Sequence, residues 1–301
     1  MTISFKDRVA VVTGAGGGLG RAYALELARR GARLVVNDLG VSRDGTGHSD
    51  AALQVVEEIR AAGGEAISNG ASVTEFEQMA EMAAKVREQW GGIHILINNA
   101  GILRDKSFAK MDPSDFEMVV KVHLLGSAFA TKACWEMMRE QNYGRVLMTT
   151  SSTGLGGHFG QSNYGAAKLG LVGLAKTLSQ EGAKNDIRIN CLAPTAGTRM
   201  TRDIFPDAAF NAFRTEDVVP AALFLVSDEA PTNAIVGAGA GVYQGCWVTL
   251  NKGVLLPTED RTVEGVAAAW PRIDDRSDDL VFRTASVQTE TTFELLGMKR
   301  G

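Results

Sequence analysis

Tyr164 and Lys168 stand four residues apart in the sequence QSNYGAAKLG, among small and apolar residues. If this stretch is helical, both side chains project from one face. A free tyrosine has a pKa of about 10 and is a poor base at neutral pH, but a nearby ammonium lowers that pKa. We therefore predict that Tyr164 exchanges a proton with a substrate oxygen, assisted by Lys168. The alternative is an amphipathic helix whose polar ends reach solvent.

A hydroxyl that could hold the substrate oxygen precedes this pair. Ser151 ends the run RVLMTTS and lies thirteen residues before Tyr164. Ser152 would face the other way if extended structure persists there. We predict that Ser151 forms the hydrogen bond to the reacting oxygen.

A glycine-rich segment near the N-terminus, TGAGGGLG, follows a predicted strand and opens a predicted helix. Glycines allow a tight turn and close backbone approach, and the free N–H groups of a helix start bind a pyrophosphate. A plain tight turn is the alternative, but the strand–loop–helix context favours a dinucleotide site. The residues assigned to that site are Gly14, Gly16, Gly18, Leu19 and Gly20.

An acidic residue, Asp38, follows the second predicted strand. Its distance from the glycines, about 20 residues, is typical of a carboxylate that binds the adenosine ribose hydroxyls. Its charge would repel a 2′-phosphate, which predicts NAD rather than NADP as the cofactor. Arg43 lies close enough in sequence to favour the opposite choice, and Asp38 could instead be a capping carboxylate of its own loop.

The elements that must position these residues alternate along the chain, with short β-branched runs between helical patterns. This order predicts an α/β fold, a Rossmann-type, doubly wound, mostly seven-stranded parallel sheet with helices on both faces. Right-handed crossovers bring the carboxyl ends of the strands to one edge, where ligands bind. Strands are predicted at 8–12, 33–37, 65–68, 93–97, 145–149, 187–192 and near 247–250, and helices at 20–30, 49–62, 74–90, 112–139, 163–183 and 216–226.

The motifs, taken in order, resemble the short-chain dehydrogenase/reductase family over roughly residues 6–250. They are TGAGGGLG, NNAG, Ser151, YGAAK and INCLAPTAGTRMT. The resemblance implies that Ser151, Tyr164 and Lys168 are catalytic. The residues that it implies around the cofactor are Asn99, Gly101, Thr195, Thr198, Tyr164 and Lys168.

Two positions depart from the family pattern. His123 stands where many members have an asparagine that completes a proton relay. Histidine can also relay protons, and a buried histidine with a backbone partner is an equal alternative. Ala71 stands where many members have an aspartate that binds the adenine amine. The backbone of Ser72 is left as the group for that role.

Longer stretches, including NNAGILRDKSFAKM and FGQSNYGAAKLGL, are similar to the (3R)-hydroxyacyl-CoA dehydrogenase part of the peroxisomal multifunctional enzyme type 2 and to its bacterial stand-alone relatives. That branch also has histidine at the position of His123. The resemblance implies an NAD-dependent dehydrogenase of (3R)-hydroxyacyl-CoA, a fatty or steroid side-chain thioester, in β-oxidation or steroid degradation. The alternatives are a dehydrogenase of hydroxysteroids or other bulky secondary alcohols, and a non-catalytic NAD-binding protein.

Residues near the predicted sheet edge could contact such a thioester. Basic residues there either meet the CoA phosphates or form a solvated basic face. The segment 198–213 is either an apolar lid or ordinary core packing. The basic residues are Arg104, Lys106, Lys110, Arg199 and Arg202, and the apolar ones are Met200, Ile204, Phe205, Phe210 and Phe213.

The composition of the chain limits the kinds of partner and compartment that we expect for it. A net charge of -4 without a basic block argues against nucleic acid. The apolar runs are too short to cross a membrane, and the N-terminus lacks a signal-peptide pattern, which predicts a cytoplasmic location. Three distant cysteines and four histidines show no disulfide framework or metal spacing.

The chain exceeds the usual family core by about fifty residues. We predict one catalytic domain, 1–250, and a C-terminal extension, 251–301, that packs on the core or on a partner subunit. Within the extension, VEGVAAAWPRI is typical of a short amphipathic helix. The resemblance implies a homodimer or homotetramer formed through the helices at 112–139 and 163–183.

Overall fold

The computed structural model describes residues 2–40, 42, 44–46, 49–198, 201–202 and 206–298. The chain divides into two compact units, Met1–Gly245 and Cys246–Gly301. The first unit contains the large sheet and the residues predicted to do chemistry. No helix in the described ranges is both long and apolar enough to cross a membrane.

Eight strands form the main sheet, in the order β3-β2-β1-β4-β5-β6-β7-β8. The pairs from β3 to β7 are all parallel, which confirms the predicted doubly wound sheet. The strand order reverses between β1 and β4, and such a switch point forms a crevice at the carboxyl ends. The strands are β1 Val9–Thr13, β2 Arg33–Asn37, β3 Ala66–Asn69, β4 Ile95–Asn98, β5 Gly144–Thr149, β6 Ile187–Pro194, β7 Ile235–Gly239 and β8 Val242–Cys246.

Helices cover both faces of this sheet. The central strands are apolar and buried along their whole length, as VAVVT in β1 illustrates, so each face needs a helical layer. Helix α1 packs against α2 and α9, while α3 packs against α5 and α4 against α7. The helices of this unit are α1 Gly18–Arg29, α2 Ala51–Ala61, α3 Phe76–Trp90, α4 Pro113–Val120, α5 Gly126–Glu140, α6 Ser152–Gly156, α7 Ser162–Glu181, α8 Asp207–Ala212 and α9 Val219–Phe224.

The last strand of the sequence prediction was wrongly placed. The seventh parallel strand is β7, which pairs with β6, although its sequence IVGAG has only two β-branched residues. Strand β8 follows after a two-residue turn, a connection too short for parallel pairing. The segment predicted near 247–250 instead contributes β9, Thr249–Leu250, which pairs antiparallel with β10, Leu280–Val281. Pairing with β6 outweighed the weak strand propensity of β7.

The long helix predicted at 112–139 is continuous but contains a π-turn. The Asp112 carboxylate caps its start by accepting the Ser114 N–H at 2.8 Å. Residues Lys121–Leu125 then form the π-turn between α4 and α5. Such turns widen a helix locally, and here the widened turn contains His123.

The second unit contains β9, β10 and two helices, α10 Val263–Ile273 and α11 Ser286–Leu295. Helix α10 is the segment VEGVAAAWPRI, so the predicted helix is confirmed. The Thr262 hydroxyl caps its start by accepting the Gly265 N–H at 3.0 Å. Where this unit packs in the working protein stays a prediction.

Candidate active site

The loop after β1 has the shape that its glycines allow. Gly14 adopts a left-handed conformation with φ of +64°, and a Cβ there would lie 2.7 Å from the Cα of Ala100. A Cβ on Gly20 would lie 2.2 Å from the carbonyl oxygen of Gly14. The loop, the start of α1 and the segment after β4 are therefore packed too closely for side chains at these two positions.

Asn99 holds this glycine loop in place. Its side-chain amide donates to the carbonyl oxygens of Thr13 and Gly14 at 3.0 and 3.1 Å. The Thr13 hydroxyl in turn accepts the backbone N–H groups of Asn99 and Ala100 at 3.0 and 3.1 Å. The NNAG motif thus fixes the loop as well as lining the cavity beside it.

Asp38 lies at the carboxyl end of β2 and faces the glycine loop. Its Oδ2 accepts the Gly16 N–H at 2.8 Å and its Oδ1 accepts the Gly40 N–H at 2.7 Å. Each carboxylate oxygen keeps further acceptor capacity, which a pair of ribose hydroxyls could use. Arg43, the residue favouring NADP, lies outside the described residues.

A cavity of about 480 Å³ opens at the switch point of the sheet. Its volume is in the range of sites for small molecules and cofactors. The glycine loop supplies backbone N–H groups and Asp38 supplies a carboxylate, a donor and acceptor set suited to a dinucleotide. The predicted cofactor residues that line it are Gly14, Gly18, Leu19, Asp38, Ser72, Asn99, Gly101 and Thr198.

The backbone of Ser72 already has protein partners at the predicted adenine end. Its N–H donates to the side-chain oxygen of Gln78 at 2.8 Å, and its carbonyl accepts the Glu75 N–H at 3.1 Å. To hydrogen-bond this backbone, an adenine would have to displace the Gln78 side chain from the Ser72 N–H or share the Ser72 carbonyl oxygen with the Glu75 N–H. Ala71 contributes no polar side chain there, in line with the departure noted in the sequence.

Ser151, Tyr164 and Lys168 lie together at the carboxyl end of β5. The Ser151 hydroxyl accepts the Thr153 N–H at 3.2 Å and lies near enough to the Tyr164 phenol to lower its pKa. The Lys168 ammonium lies 5.4 Å from the centre of the Tyr164 ring and donates to the carbonyl oxygen of Thr149. Both predicted features, the shared helix face and the serine opposite it, are therefore present.

The pKa of Tyr164 moves opposite to the sequence-based expectation. Burial raises it, the Ser151 hydroxyl lowers it, and the carboxylate of Asp105 raises it. Burial also lowers the pKa of Lys168 to about 7. The amine loses part of its charge near neutral pH because it is taken out of water, so it cannot fully stabilise a phenolate by itself.

His123 lies in the π-turn, beside Tyr164. The two rings meet edge to face with centroids 5.1 Å apart. The Nε2 atom contacts both the carbonyl oxygen of Ile102, at 2.8 Å, and the Ile102 N–H, at 3.2 Å, so it acts as donor or acceptor according to the tautomer of the ring. Nδ1 is buried with no partner among the described residues, and burial holds the pKa of the ring well below 6.5. The expected backbone partner is thus present, and Nδ1 is the atom left for a relay.

Gly101 of the NNAG motif makes room for this histidine. A Cβ on Gly101 would lie 2.3 Å from the Cε1 atom of His123. The glycine is thus required by the packing of the π-turn against the loop after β4.

The basic residues predicted to meet CoA phosphates are mostly paired. Arg104 and Lys106 contact the Asp115 carboxylate at 3.0 and 3.5 Å. Arg202 contacts Asp207 at 3.2 Å, whereas Lys110 is exposed. Arg199 lies outside the described residues.

Part of the predicted lid can be described. Phe210 and Phe213 are partly buried, and the Phe213 carbonyl accepts the Gly197 N–H at 2.6 Å. Thr195 donates its N–H to the carbonyl of Ala238 at 2.8 Å, on the same loop after β6. Met200, Ile204 and Phe205 lie outside the described residues, so lid and core packing remain open alternatives for them.

Sequence reasoning missed a polar network beside Tyr164. The Gln161 side-chain amide donates to Asp105 at 2.8 Å, and its oxygen accepts the Thr153 hydroxyl at 2.9 Å. Gln161 belongs to QSNYGAAK and Asp105 lies shortly after NNAG, so each residue is in or near a motif that can be recognised in the sequence. Their contact depends on how two loops far apart in sequence meet.

Comparisons with known proteins agree with this geometry. The family model described as short chain dehydrogenase matches residues 8–209. A putative short-chain type dehydrogenase/reductase of Mycobacterium tuberculosis is 48% identical over 90% of this chain and 96% of its own length.

Larger proteins are also similar to this chain. The peroxisomal multifunctional enzyme A of Dictyostelium discoideum is 45% identical over 91% of this chain, which spans 62% of that protein. The structure of full-length peroxisomal multifunctional enzyme type 2 from Drosophila melanogaster superposes with a TM-score of 0.81 at 37% identity, covering 98% of this chain and 50% of that one.

Proposed function

This chain belongs to the short-chain dehydrogenase family, and from that premise we propose that it transfers a hydride between NAD and the 3-hydroxyl of a (3R)-hydroxyacyl-CoA. The acyl group would be a fatty chain or a steroid side chain. The observation that carries the proposal is the grouping of Ser151, Tyr164 and Lys168 at the carboxyl end of β5. This group lies beside His123, which packs against Gly101 in the wall of the cavity bordered by the glycine loop and Asp38.

The chemistry assigned to each residue follows from its contacts. Ser151 hydrogen-bonds the substrate oxygen, and Tyr164 removes the hydroxyl proton in the oxidising direction or returns it in the reducing one. Bound NAD supplies the hydride acceptor and a positive charge that favours the phenolate. Lys168, whose pKa is about 7, adds a second positive charge beside the phenolate when it is protonated. Nδ1 of His123 is the proposed relay atom.

NAD is the proposed cofactor because Asp38 presents a carboxylate to the ribose end of the cavity. A 2′-phosphate would meet this charge at close range. The backbone N–H groups of Gly16 and Gly40 hold the carboxylate in place, so it could turn away only by breaking two hydrogen bonds.

The thioester substrate rests on similarity to the multifunctional enzymes, of which this chain spans only part. Phosphate recognition by Arg104 or Lys106 would require each to exchange its bond to Asp115 for one to the substrate. Lys110 is exposed and could bind a phosphate without such an exchange. We further propose a cytoplasmic homodimer or homotetramer in which residues 251–301 pack on the core or on a partner subunit.

A substrate panel tests this proposal. NADH formation is measured with both enantiomers of 3-hydroxyacyl-CoA at several chain lengths, with steroid side-chain thioesters, and with free hydroxysteroids. We expect turnover of the (3R) thioesters and none in a Tyr164→Phe variant that still binds NADH. Turnover of free steroids without turnover of thioesters would favour the alternative dehydrogenase, and no turnover of any alcohol would favour the non-catalytic protein.

A further inference from the structure

The loop after β4 is attached to the start of α7 by three hydrogen bonds. The Lys106 N–H donates to the Gly160 carbonyl at 2.9 Å. The Gln161 and Asn163 side chains donate to Asp105 and to the Arg104 carbonyl at 2.8 and 3.0 Å. Because α7 carries Tyr164 and the loop continues the cavity wall, these bonds set the position of the phenol relative to that wall.

The charge of Asp105 fixes the direction of the hydrogen bonds in this junction. An ionised carboxylate only accepts, so the NH₂ of Gln161 faces Asp105 and its oxygen faces Thr153. The Thr153 hydroxyl donates to that oxygen at 2.9 Å, and the Thr153 N–H donates to the Ser151 oxygen at 3.2 Å. With an acceptor position filled, Ser151 keeps its own proton for Tyr164 or the substrate oxygen.

We propose that Asp105 and Gln161 are positioning residues of the reaction, which act through Thr153 on Ser151 and through the start of α7 on Tyr164. Gln161 is buried, and its carbonyl accepts the Gly165 N–H at 2.7 Å in the first turn of α7. Its side chain is held between Asp105 and Thr153 at this end of α7. The roles of Ser151 and Tyr164 in this inference rest on the proposed function.

Asp105 also acts on Tyr164 by its charge. Ser151 before α6, Lys168 on α7 and His123 on the π-turn lie around the phenol. The exposed carboxylate of Asp105, in the loop after β4, is joined to Ser151 through Gln161 and Thr153. The histidine is held neutral by burial, so the carboxylate is the negative charge that opposes a phenolate. Neutralising it lowers the pKa of Tyr164.

The charge effect is tested without any substrate. Tyrosinate absorbance is titrated in each protein and in the same protein carrying Tyr164→Phe, and the difference isolates Tyr164. Asp105→Asn keeps an acceptor for Gln161 but removes the charge, so we expect Tyr164 to titrate at lower pH. Glu117→Gln removes an exposed charge on α4 and should leave the titration unchanged. Equal titrations for Asp105→Asn and the unaltered protein overturn the charge effect.

The positioning effect is tested on whichever secondary alcohol the unaltered protein oxidises fastest. Gln161→Met keeps the side-chain length but cannot bridge Asp105 and Thr153. We expect kcat to fall roughly 10- to 100-fold, since small misplacements of reacting groups have effects of that size. The KM for NAD should change little. The Gln161→Glu variant, in which the new carboxylate repels Asp105, should show a comparable fall in kcat.

A double variant separates this role from general damage. Adding Asp105→Ala to Gln161→Met should lower kcat little beyond Gln161→Met alone, because both changes break the same chain of bonds. If the two changes reduce kcat by the product of their separate factors, the inference is contradicted. It is also contradicted if the kcat of Gln161→Met equals that of the unaltered protein. Failure of every thioester in the substrate panel would instead contradict the proposed function and leave the titration result intact.

Discussion

Tyr164 is not made reactive by its lysine neighbour alone. Burial raises the pKa of the phenol and lowers that of Lys168 to about 7, because both groups lose contact with water. The Ser151 hydroxyl is the protein group that lowers the pKa of Tyr164. In the proposed reaction, deprotonation of Tyr164 therefore depends on this hydroxyl and on the positive charge of an oxidised nicotinamide cofactor.

Ser151 and Ser152 give a matched pair of variants at the residue scale. Ser151→Ala removes the hydroxyl that lowers the pKa of Tyr164 and that is proposed to hold the substrate oxygen, and should lower kcat by about 100-fold or more. Ser152 is exposed in the first turn of α6, so Ser152→Ala should keep nearly full activity. Steady-state kinetics of NADH formation check this, and equal losses in both variants would contradict the assignment.

Asp38 is predicted to decide between NAD and NADP. Asp38→Asn removes the charge and exchanges one acceptor oxygen for a donor, so one of the two N–H groups now bound loses its partner. We expect roughly 10-fold weaker NAD binding, about the value of one hydrogen bond to a charged group. The ratio of the affinity for NAD to the affinity for NADP should become smaller. Calorimetric titration with both nucleotides tests this, with Glu57→Gln on α2 as a charge-matched control, and an unchanged preference would refute it.

At the level of elements, helix α1 contains a buried tyrosine, Tyr23, whose hydroxyl serves no purpose that the structure shows. Tyr23 is fully buried, and its hydroxyl has no partner among the described residues. An unpaired buried hydroxyl destabilises a protein by about 1–3 kcal/mol. Tyr23→Phe should therefore raise the free energy of unfolding by about 1 kcal/mol, as measured in urea.

Tyr243 provides the control for this substitution. Its hydroxyl donates to the Asp217 carbonyl at 3.0 Å, and the residue is exposed. Tyr243→Phe should leave stability unchanged or lower it slightly. A loss of stability in Tyr23→Phe would show that its hydroxyl has a partner.

His94 joins β1 to β4 through a bond that depends on pH. Its Nδ1 accepts the Val9 N–H at 3.1 Å, so this atom must be unprotonated. Burial and the charges of Arg8 and Arg33 lower the pKa of His94 below 6.5. The unfolded chain takes up the proton first as pH falls, so the stability that His94 contributes is complete above pH 6.5 and is lost below it.

The variant His94→Asn tests this dependence, because asparagine still accepts the Val9 N–H but does not titrate. We expect the free energy of unfolding to fall less steeply in the variant than in the unaltered protein below pH 6.5. His123 contributes a slope of the same sign to both proteins and cancels in the comparison. Parallel curves from urea unfolding across this range would contradict the role of His94.

At the scale of the whole molecule, the chain consists of two compact units, and the described residues that line the cavity at the switch point all belong to the first. A ligand that binds only the folded form stabilises by about 2.7 kcal/mol at 100 times its Kd. The four tryptophans are divided between the units, with Trp90 and Trp135 in the first and Trp247 and Trp270 in the second.

This division allows the unfolding of the first unit to be followed separately. In a variant carrying Trp247→Phe and Trp270→Phe, tryptophan fluorescence reports the first unit only. We expect saturating NAD to raise its unfolding midpoint. An unchanged midpoint under conditions where NAD binding is measured directly would contradict the location of the site.

The sequence by itself determined the first six strands of the sheet, the glycine loop and the residues at the strand ends. These are local properties, since strand periodicity, glycine conformation and the four-residue spacing of Tyr164 and Lys168 each act over a few residues. The cap at Asp112 and the helix VEGVAAAWPRI were predictable for the same reason.

Only the tertiary structure decided the features that depend on distant segments meeting. The glycine-rich β7 became a strand through pairing with β6, and the π-turn appeared where His123 packs against Gly101. The direction of the pKa shift of Tyr164 was wrong, and the lowered pKa of Lys168 was not foreseen, because desolvation depends on burial, which spacing along the chain does not reveal. The contact between Asp105 and Gln161 joins residues 56 positions apart, and folding alone brings them together.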